Sequence, residues 1–341
     1  MADGSWSLGQ FDNQDPLFQN QLTSDTAATG LALLAFQGAG YTHREFKYTN
    51  AVSRALDWLI ANQTSDGCLY LEADKNSNDA CRMYSHAIAA LALTEAYGMT
   101  QDPALRKPTQ DALNYIFDTQ DPQKGGWRYF AERQKRSTDT SVTGWMMMAI
   151  KSGKLAGLKT RQSSLDRIAD WLRVAEDPQR PSQFRYNPYA VDSQGKRRAH
   201  GKKVSVTMNS VGLLMKIYSG WKPDDEKFLR GVQTLLEQLP SDASSRVRDT
   251  YYWYYASHVI KHAGRKYWDQ WSEALHPLLI DSQEMSGELR GSWHPYKPVP
   301  DRWGAHGGRL YVTTMNLLSL EVKYRLLPLS LIHISEPTRP N

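Results

Sequence analysis

A recurring helix start constrains the fold of this chain more than any other feature. Usually a small oxygen-bearing residue comes first, and an apolar run with helical spacing follows, with a glycine or small residue five positions on. The copies begin at Asp25, Ser85, Asp139, Thr207, Asp249 and Tyr311, and their starts lie 42 to 68 residues apart. Each step has room for two helices and a loop, so the pattern indicates a helical repeat protein.

More amphipathic helices are predicted between these apolar runs, over residues 50–62, 105–119, 162–176, 228–239 and 267–280. Helices that are apolar nearly all round belong inside a repeat structure, and helices with one polar face belong outside. The pattern therefore predicts an all-α fold, an (α/α)6 toroid of six inner helices and five outer ones. One outer helix is missing from the expected ring of twelve.

The position of the missing helix follows from a turn that ends in Gly-x-Trp. The chain opens with Gly4-Ser5-Trp6, whereas elsewhere such a turn comes after an outer helix, as in QDPQKGGW at 120–127. We therefore expect that Met1 is an internal methionine and that an outer helix precedes it. Residues 1–328 are predicted to form one toroid domain.

The segment 329–341 continues neither the helical period nor the repeat. Its LSLIHISEPTR run resembles a translated sequencing adapter, so we interpret it as a non-native tail. No signal peptide or membrane span is evident, and two cysteines are too few for a disulfide framework. These features favour a cytoplasmic location without assigning one, and no cofactor is predicted.

A basic stretch, GKRRAHGKK at 195–203, contributes much of the formal net charge of +5. Such a stretch can contact an anionic surface, but it is more often a solvated loop. A membrane surface remains an open partner, and nucleic acid is not expected.

The turns that carry Gln120, Gly125 and Trp127 resemble the QW motifs of squalene and hopene cyclases, in the superfamily of terpenoid cyclases and protein prenyltransferases. Phrases such as MYSHAIAALALTEAYGMT and GGRLYVTT resemble uncharacterised bacterial members of that group. The resemblance implies a toroid with a central cavity suited to an apolar, isoprenoid-type ligand.

The resemblance also tests for cyclase chemistry, because those enzymes carry their acid in an Asp-x-Asp-Asp-Thr-Ala run. Only its last Asp remains here, as Asp25. The helix-start residues have a structural interpretation as N-caps. The functional alternative is that Asp25, Asp139 and Asp249 converge at the mouth of the ring, where mutual repulsion would raise a pKa, which makes them the candidate catalytic residues.

The candidate ligand-binding residues are Trp145, Tyr251, Tyr252, Tyr255 and Arg309. The aromatic residues could line a cavity or pack as core, and Arg309, after two glycines, could bind a diphosphate or cap the rim. The pair Asp79 and Cys81, with His86 nearby, imitates part of a prenyltransferase zinc site. Cys81 and His86 are about 140° apart on a helix, so no metal site is predicted.

The leading hypothesis is therefore a toroid that binds an isoprenoid-type ligand without an intact cyclase acid motif. Three alternatives stay open: a non-catalytic interaction or structural toroid, a terpenoid cyclase or prenyltransferase with a divergent site, and a glycan-active (α/α)6 enzyme. The last would need two carboxylates about 5 to 10 Å apart in an open cleft.

Overall fold

The computed structural model of the chain describes residues 1–11, 23–71, 81–131, 138–190, 201–242 and 247–324. The helices of the inner layer are α1 (Asp25–Gly38), α3 (Arg82–Thr100), α5 (Thr140–Leu155), α7 (Val206–Tyr218), α9 (Thr250–Ala263) and α11 (Gly304–Glu321). The helices of the outer layer are α2 (Thr49–Ala61), α4 (Pro103–Thr119), α6 (Gln162–Ala175), α8 (Glu226–Leu236) and α10 (Arg265–Asp281).

The inner helices close into a ring. Each contacts the next inner helix along the chain, and α11 contacts α1. The inner helices are buried over most of their residues, whereas the outer helices bury one stripe each. The predicted (α/α)6 toroid is confirmed, with helix bounds within a few residues of those expected from the apolar periodicity.

A short antiparallel hairpin follows α6 and was not predicted. Its strands are β1 (Glu176–Asp177) and β2 (Arg180–Phe184). The ring of Phe184 fills the space beside Gly212 of α7, where an added Cβ would lie 2.2 Å from the ring. This contact explains one of the small residues that recur five positions into the inner helices.

The Gly-x-Trp turn clasps neighbouring outer helices together. At the end of α4, Gln120 Nε2 donates to Gly125 O (2.8 Å) and to Ser164 O of α6 (3.1 Å). Gly125 has φ +80°, and its Cα approaches Arg167 O so closely that a Cβ would lie 2.2 Å away. A side chain is therefore excluded there both by conformation and by contact.

The N-cap interpretation of the helix starts is correct at two positions, displaced by one or two residues at two others, and wrong at Ser85. Asp139 caps α5 and Asp249 caps α9 with their carboxylates. The caps of α1 and α7 are Ser24 and Ser205, so Asp25 and Thr207 lie inside the first turn. Ser85 lies within α3, whose start has no side-chain cap.

No helix in the described part of the chain is long and apolar enough to cross a membrane. The predicted tail 329–341 lies outside the described residues, as does most of the basic stretch 195–203. The interpretations of these two segments stay predictions.

Candidate functional site

A buried carboxylate lies at the start of α5. Asp139 Oδ1 accepts hydrogen bonds from the backbone N–H of Val142 and the hydroxyl of Ser141, both at 2.8 Å. Its Oδ2 accepts from the Tyr186 hydroxyl at 3.1 Å and lies 3.6 Å from Arg128 Nε. Asp139 is fully buried, and these hydrogen bonds to its carboxylate all come from protein groups.

Tyrosine rings surround this carboxylate. The hydroxyls of Tyr186 and Tyr129 share a hydrogen bond, and the hydroxyl of Tyr84 is bonded to Ser141. The rings of Tyr84 and Tyr129 are 6.2 Å apart, and the Arg128 guanidinium lies 4.8 Å from the Tyr129 ring. Tyr84, Tyr129, Tyr186 and Arg128 are each only partly buried, so the cluster reaches the surface at the rim.

The ionisation of this cluster is governed by burial. Burial raises the pKa of Asp139 to about 6, although the hydrogen bonds it accepts and the charge of Arg128 act in the opposite direction. Burial and the neighbouring Asp139 charge both raise the pKa of Tyr186 and of Tyr84 above the usual range. Tyr84 and Tyr186 therefore stay protonated near neutral pH, where Asp139 titrates.

The β-hairpin positions Tyr186 beside the start of α5. The Thr140 N–H donates to Tyr186 O at 2.9 Å, and the Thr140 hydroxyl donates to Arg185 O at 2.5 Å. Backbone pairing between Trp127 and Asp139 holds the turn that carries Arg128 and Tyr129 beside the same helix end. Three chain segments thus meet at one inner-helix start.

Two further carboxylates lie at the start of α9, where Asp249 is partly buried and Asp301 is buried. Asp249 Oδ2 accepts from the Thr207 hydroxyl (3.0 Å) and lies 3.3 Å from Arg302 Nε. Asp301 accepts backbone N–H bonds from Thr250 (3.0 Å) and Trp303 (2.8 Å). Burial raises the pKa of Asp249, and it raises that of Asp301 to about 6.

Two tyrosines connect these carboxylate groups. The pKa of Tyr251 is raised by burial, by the neighbouring Tyr255 and Tyr311, and by the charge of Asp139. The pKa of Tyr311 is raised by burial and then by the charges of Asp301 and Asp249. The charge of Asp139 thus acts on Tyr251, and the charges of Asp301 and Asp249 act on Tyr311.

Asp25 belongs to a different environment. It is half-buried, burial raises its pKa, and the groups that act on it next are Ser7 and Asp3 of the N-terminal segment. These neighbours differ from those of Asp139 and Asp249, and the convergence of the three carboxylates stays a prediction.

The candidate aromatic residues pack mainly on one another. Trp145 stacks on Tyr254 with centroids 5.8 Å apart, and Tyr255 meets Trp145 edge-on at the same distance. Tyr251 lies 4.9 Å from Tyr255. The Tyr252 hydroxyl instead donates to Leu235 O of outer helix α8 at 2.8 Å, which turns this side chain away from the other four.

Arg309 is buried in the first turns of α11. Its Nη1 donates to the Ser292 hydroxyl at 3.1 Å and lies 3.7 Å from Glu284 Oε1, and both partners belong to the connection after α10. His86 of the imitated zinc site is bonded to the protein backbone through both nitrogens, to Leu69 N–H and Ala112 O. Burial lowers the pKa of His86 to about 4, so it is a neutral core histidine.

The residues that sequence reasoning missed are Tyr84, Arg128, Tyr129, Tyr186 and Asp301. Tyr84 lies within α3, and the other four lie in connections between helices, where no periodic pattern distinguishes them. The one available signal was the position of Arg128 and Tyr129, directly after the Gly-x-Trp turn and ahead of a predicted inner helix.

No family model matches the sequence, and no curated protein matches it. Solved structures match it in fold. An α-1,6-mannanase from Salegentibacter sp., in complex with α-1,6-mannotriose, superposes with a TM-score of 0.59 at 10% identity, over 96% of this chain and 94% of that chain. A cellobiose 2-epimerase from Bacillus thermoamylovorans has a TM-score of 0.61 at 14% identity, over 87% of each chain. An α-amylase from Clostridium perfringens has a TM-score of 0.56 at 11% identity, over 93% of this chain and 96% of that chain.

These neighbours overturn the resemblance to squalene and hopene cyclases, because they are carbohydrate-acting (α/α)6 proteins. The expectation of an apolar, isoprenoid-type ligand, which depended on that resemblance, is therefore also wrong. The physical reason lies in the turn that suggested the resemblance. A glutamine that clasps two outer helices and a glycine that lets their backbones approach serve any ring of helix pairs, whatever the ring binds.

Proposed function

We propose that this protein binds carbohydrate at the rim of the toroid, in the site around Asp139. The observation that carries the proposal is the buried Asp139 carboxylate, hydrogen-bonded to Tyr186 within a cluster of partly exposed tyrosines. Sugars present hydroxyl groups that need donors and acceptors, and C–H faces that pack on aromatic rings. Tyr84, Tyr129 and Tyr186 offer both kinds of contact, and Arg128 adds a charged donor.

The structural neighbours support a sugar ligand over an apolar one. The mannanase was solved with a mannotriose, and the epimerase and the amylase are named for reactions on sugars. Their identities to this chain are low, so the likeness itself shows the fold alone. The proposal therefore depends on the chemistry of the rim residues, which is polar and aromatic where an isoprenoid would need an apolar wall.

Acid–base catalysis on the bound sugar is a second candidate function. The pKa of Asp139, raised to about 6, lies near neutrality, where a carboxyl group can both donate and accept a proton. Because Asp139 is fully buried, a proton would pass to the ligand through the Tyr186 hydroxyl that bonds it. Asp249 and Asp301 are the candidates for a second carboxylate.

Calorimetric titration with a panel of oligosaccharides tests the binding proposal. The panel includes α-1,6-mannotriose, cellobiose and maltotriose, and product analysis by chromatography reports any turnover. We expect Tyr186→Phe to weaken binding of the tightest saccharide by about tenfold, because one desolvated hydroxyl is worth about 1.4 kcal/mol.

Tyr252→Phe is the matched control, since its hydroxyl bonds outer helix α8 and its loss should leave saccharide affinity unchanged. Equal losses in the two variants would show that the effect is general destabilisation. No binding to any saccharide of the panel, by a folded protein, would contradict the proposal.

A further inference from the structure

A groove of about 520 Å³ runs between α1 and α11 on the outer side of the ring. Its walls include Trp6, Ala32 and Phe36 from the first unit and Leu310 and Leu317 from the last. At three other inner-helix junctions, α3–α5, α5–α7 and α7–α9, an outer helix contacts both inner helices, and at α1–α3 and α9–α11 an outer helix contacts the first of the two. No helix in the described ranges packs over this junction.

The face of α1 that lines the groove has a buried counterpart in α5. The Trp6 amide donates to Thr29 Oγ1 and the Trp127 amide to Thr143 Oγ1, which sets the two helices in register. In that register, groove residues Ala32, Ala35, Phe36 and Ala39 match Met146, Ala149, Ile150 and Gly153. The matching α5 face is fully buried and meets Leu113 of outer helix α4.

The tryptophans of the turns also distinguish the α1–α11 junction from the others. The Trp127 indole donates to Ile116 O of α4 at 2.9 Å, and the Trp293 indole donates to Leu279 O of α10 at 2.7 Å. In each case the acceptor belongs to the outer helix just before the turn. Trp6 holds the matching place, but the described residues contain no outer helix ahead of it, and its ring lines the groove.

On the other side of the groove, Gln283 lacks, within the described residues, the second hydrogen bond that the glutamines of two other turns make to the next outer helix. Gln63 Nε2 donates to Gly67 O and also to Pro108 O of the next outer helix, as Gln120 does at the next turn. Gln283 Nε2 donates to Gly291 O at 2.9 Å, and the described residues offer it no next outer helix.

The turn glycines complete the comparison. A Cβ at Gly4, Gly67 or Gly125 would lie 2.2 to 2.4 Å from a carbonyl oxygen of the next outer helix, whereas a Cβ at Gly291 would meet nothing within 4 Å. Gly291 nevertheless has the same left-handed backbone, with φ +89°. The turn is thus shaped for a contact that the other three turns make.

We propose that the groove binds an amphipathic α-helix joined to the Gly4–Trp6 turn, which takes the place of an outer helix. Its apolar face covers Ala32, Ala35, Phe36 and Leu317. One carbonyl in its last turns accepts the Trp6 indole N–H, and one near its start accepts the Gln283 amide. This helix is recognised by shape, apolar contact and two backbone acceptors.

A graft from the same chain tests this proposal. A copy of residues 101–121, which hold α4 and its cap, is placed directly before Met1, so that the copied Ile116 precedes Trp6 by the same 11 positions that separate Ile116 from Trp127. The matched control graft carries Leu113→Asp and Ile116→Asp in the copy, because both side chains are fully buried in α4. We expect the graft to raise Tm by about 3 °C or more over the control graft and to reduce binding of an apolar dye.

Gln283→Ala then tests the clasp in a double-mutant cycle. We expect this substitution to lower Tm by about 2 °C more in the grafted chain than in the ungrafted chain, because only the graft supplies its second acceptor. Equal Tm values for the two grafts would overturn the proposal. A dimer of the ungrafted chain that Ala35→Arg converts to a monomer would overturn it in favour of a second copy of the chain.

Discussion

Asp25 and Asp139 begin two stretches of nearly the same sequence, DTAATG and DTSVTG, yet they differ in structure. Both stretches are held in the same register by a tryptophan amide that bonds to a threonine four positions on. Asp139 caps its helix, is fully buried and is bonded to three side chains or backbone groups. Asp25 is half-buried in the first turn of a helix that Ser24 caps.

The difference arises from the segments that pack against each helix start. At α5, the turn after α4 brings Arg128 and the β-hairpin brings Tyr186, which together enclose the carboxylate. At α1, the N-terminal segment brings Ser7 and Asp3. A repeat motif therefore specifies where a helix begins, and the connections decide whether that position becomes a site.

Removal of the two carboxylates should give the largest difference in stability between the starts of α5 and α1. Asp139→Ala removes a cap and leaves the Tyr186 and Ser141 hydroxyls without their acceptor, so we expect the free energy of unfolding to fall by about 3 kcal/mol. Asp25→Ala should cost about 0.5 kcal/mol, because Ser24 supplies the cap. Urea unfolding of both variants measures the difference, and equal losses would show that the two positions are equivalent.

The pH dependence of stability sharpens the comparison. Asp139 has a pKa of about 6 when folded and about 3.8 as a free side chain, so the folded state binds more protons between these values. The free energy of unfolding therefore falls as pH rises from about 4 to about 6, by on the order of 2 kcal/mol from this group.

Asp139→Asn should remove that part of the slope, whereas Asp25→Asn should change it less because Asp25 is half-buried. The check is urea unfolding at pH 4, 5, 6 and 7. A slope unchanged by Asp139→Asn would mean that this carboxyl does not titrate in that interval.

The hydroxyl of Tyr186 tests what the hairpin contributes. Tyr186→Phe removes the bonds to Asp139 and Tyr129, and we expect a loss of about 1.5 kcal/mol in the free energy of unfolding. It should also raise the pKa of Asp139, since the hydroxyl stabilises the ionised form. Carboxyl titration by NMR measures that shift, and an unchanged pKa would contradict the assigned bond.

Substitution of the α1 cap should have a smaller effect than substitution of the α5 cap. Ser24 Oγ accepts the Ala27 N–H at 3.2 Å and is bonded to the Ser85 hydroxyl at 2.7 Å. We expect Ser24→Ala to cost about 1 kcal/mol, more than Asp25→Ala at the next position. The reverse order in urea unfolding would show that Asp25, and not Ser24, stabilises the start of α1.

The fold could be predicted from the sequence because its signals are local. The apolar period of α3 or α7 and the amphipathic period of α6 lie within single helices, and the repeat gives their order in the ring. The hairpin was missed because its strands are too short for an alternating pattern.

The candidate site was predicted only in part, because most of it is assembled by tertiary contacts. Asp139 was found through the repeat, but Tyr186 lies 47 positions later and reaches it through the hairpin. Asp301 reaches the start of α9 from the connection before α11, through its bond to Thr250. The ligand class was wrong because the clasping turns indicate how the ring is built and not what it binds.

The most direct test of the account compares saccharide affinity in two matched variants. Asp139→Asn and Asp25→Asn make the same chemical change at matched repeat positions, and calorimetric titration with α-1,6-mannotriose and cellobiose measures Kd for each. The account predicts that Asp139→Asn weakens binding at least tenfold while Asp25→Asn leaves Kd within about twofold of the parent protein. Equal affinities in the two variants, or no binding of either saccharide by the parent protein, would contradict it.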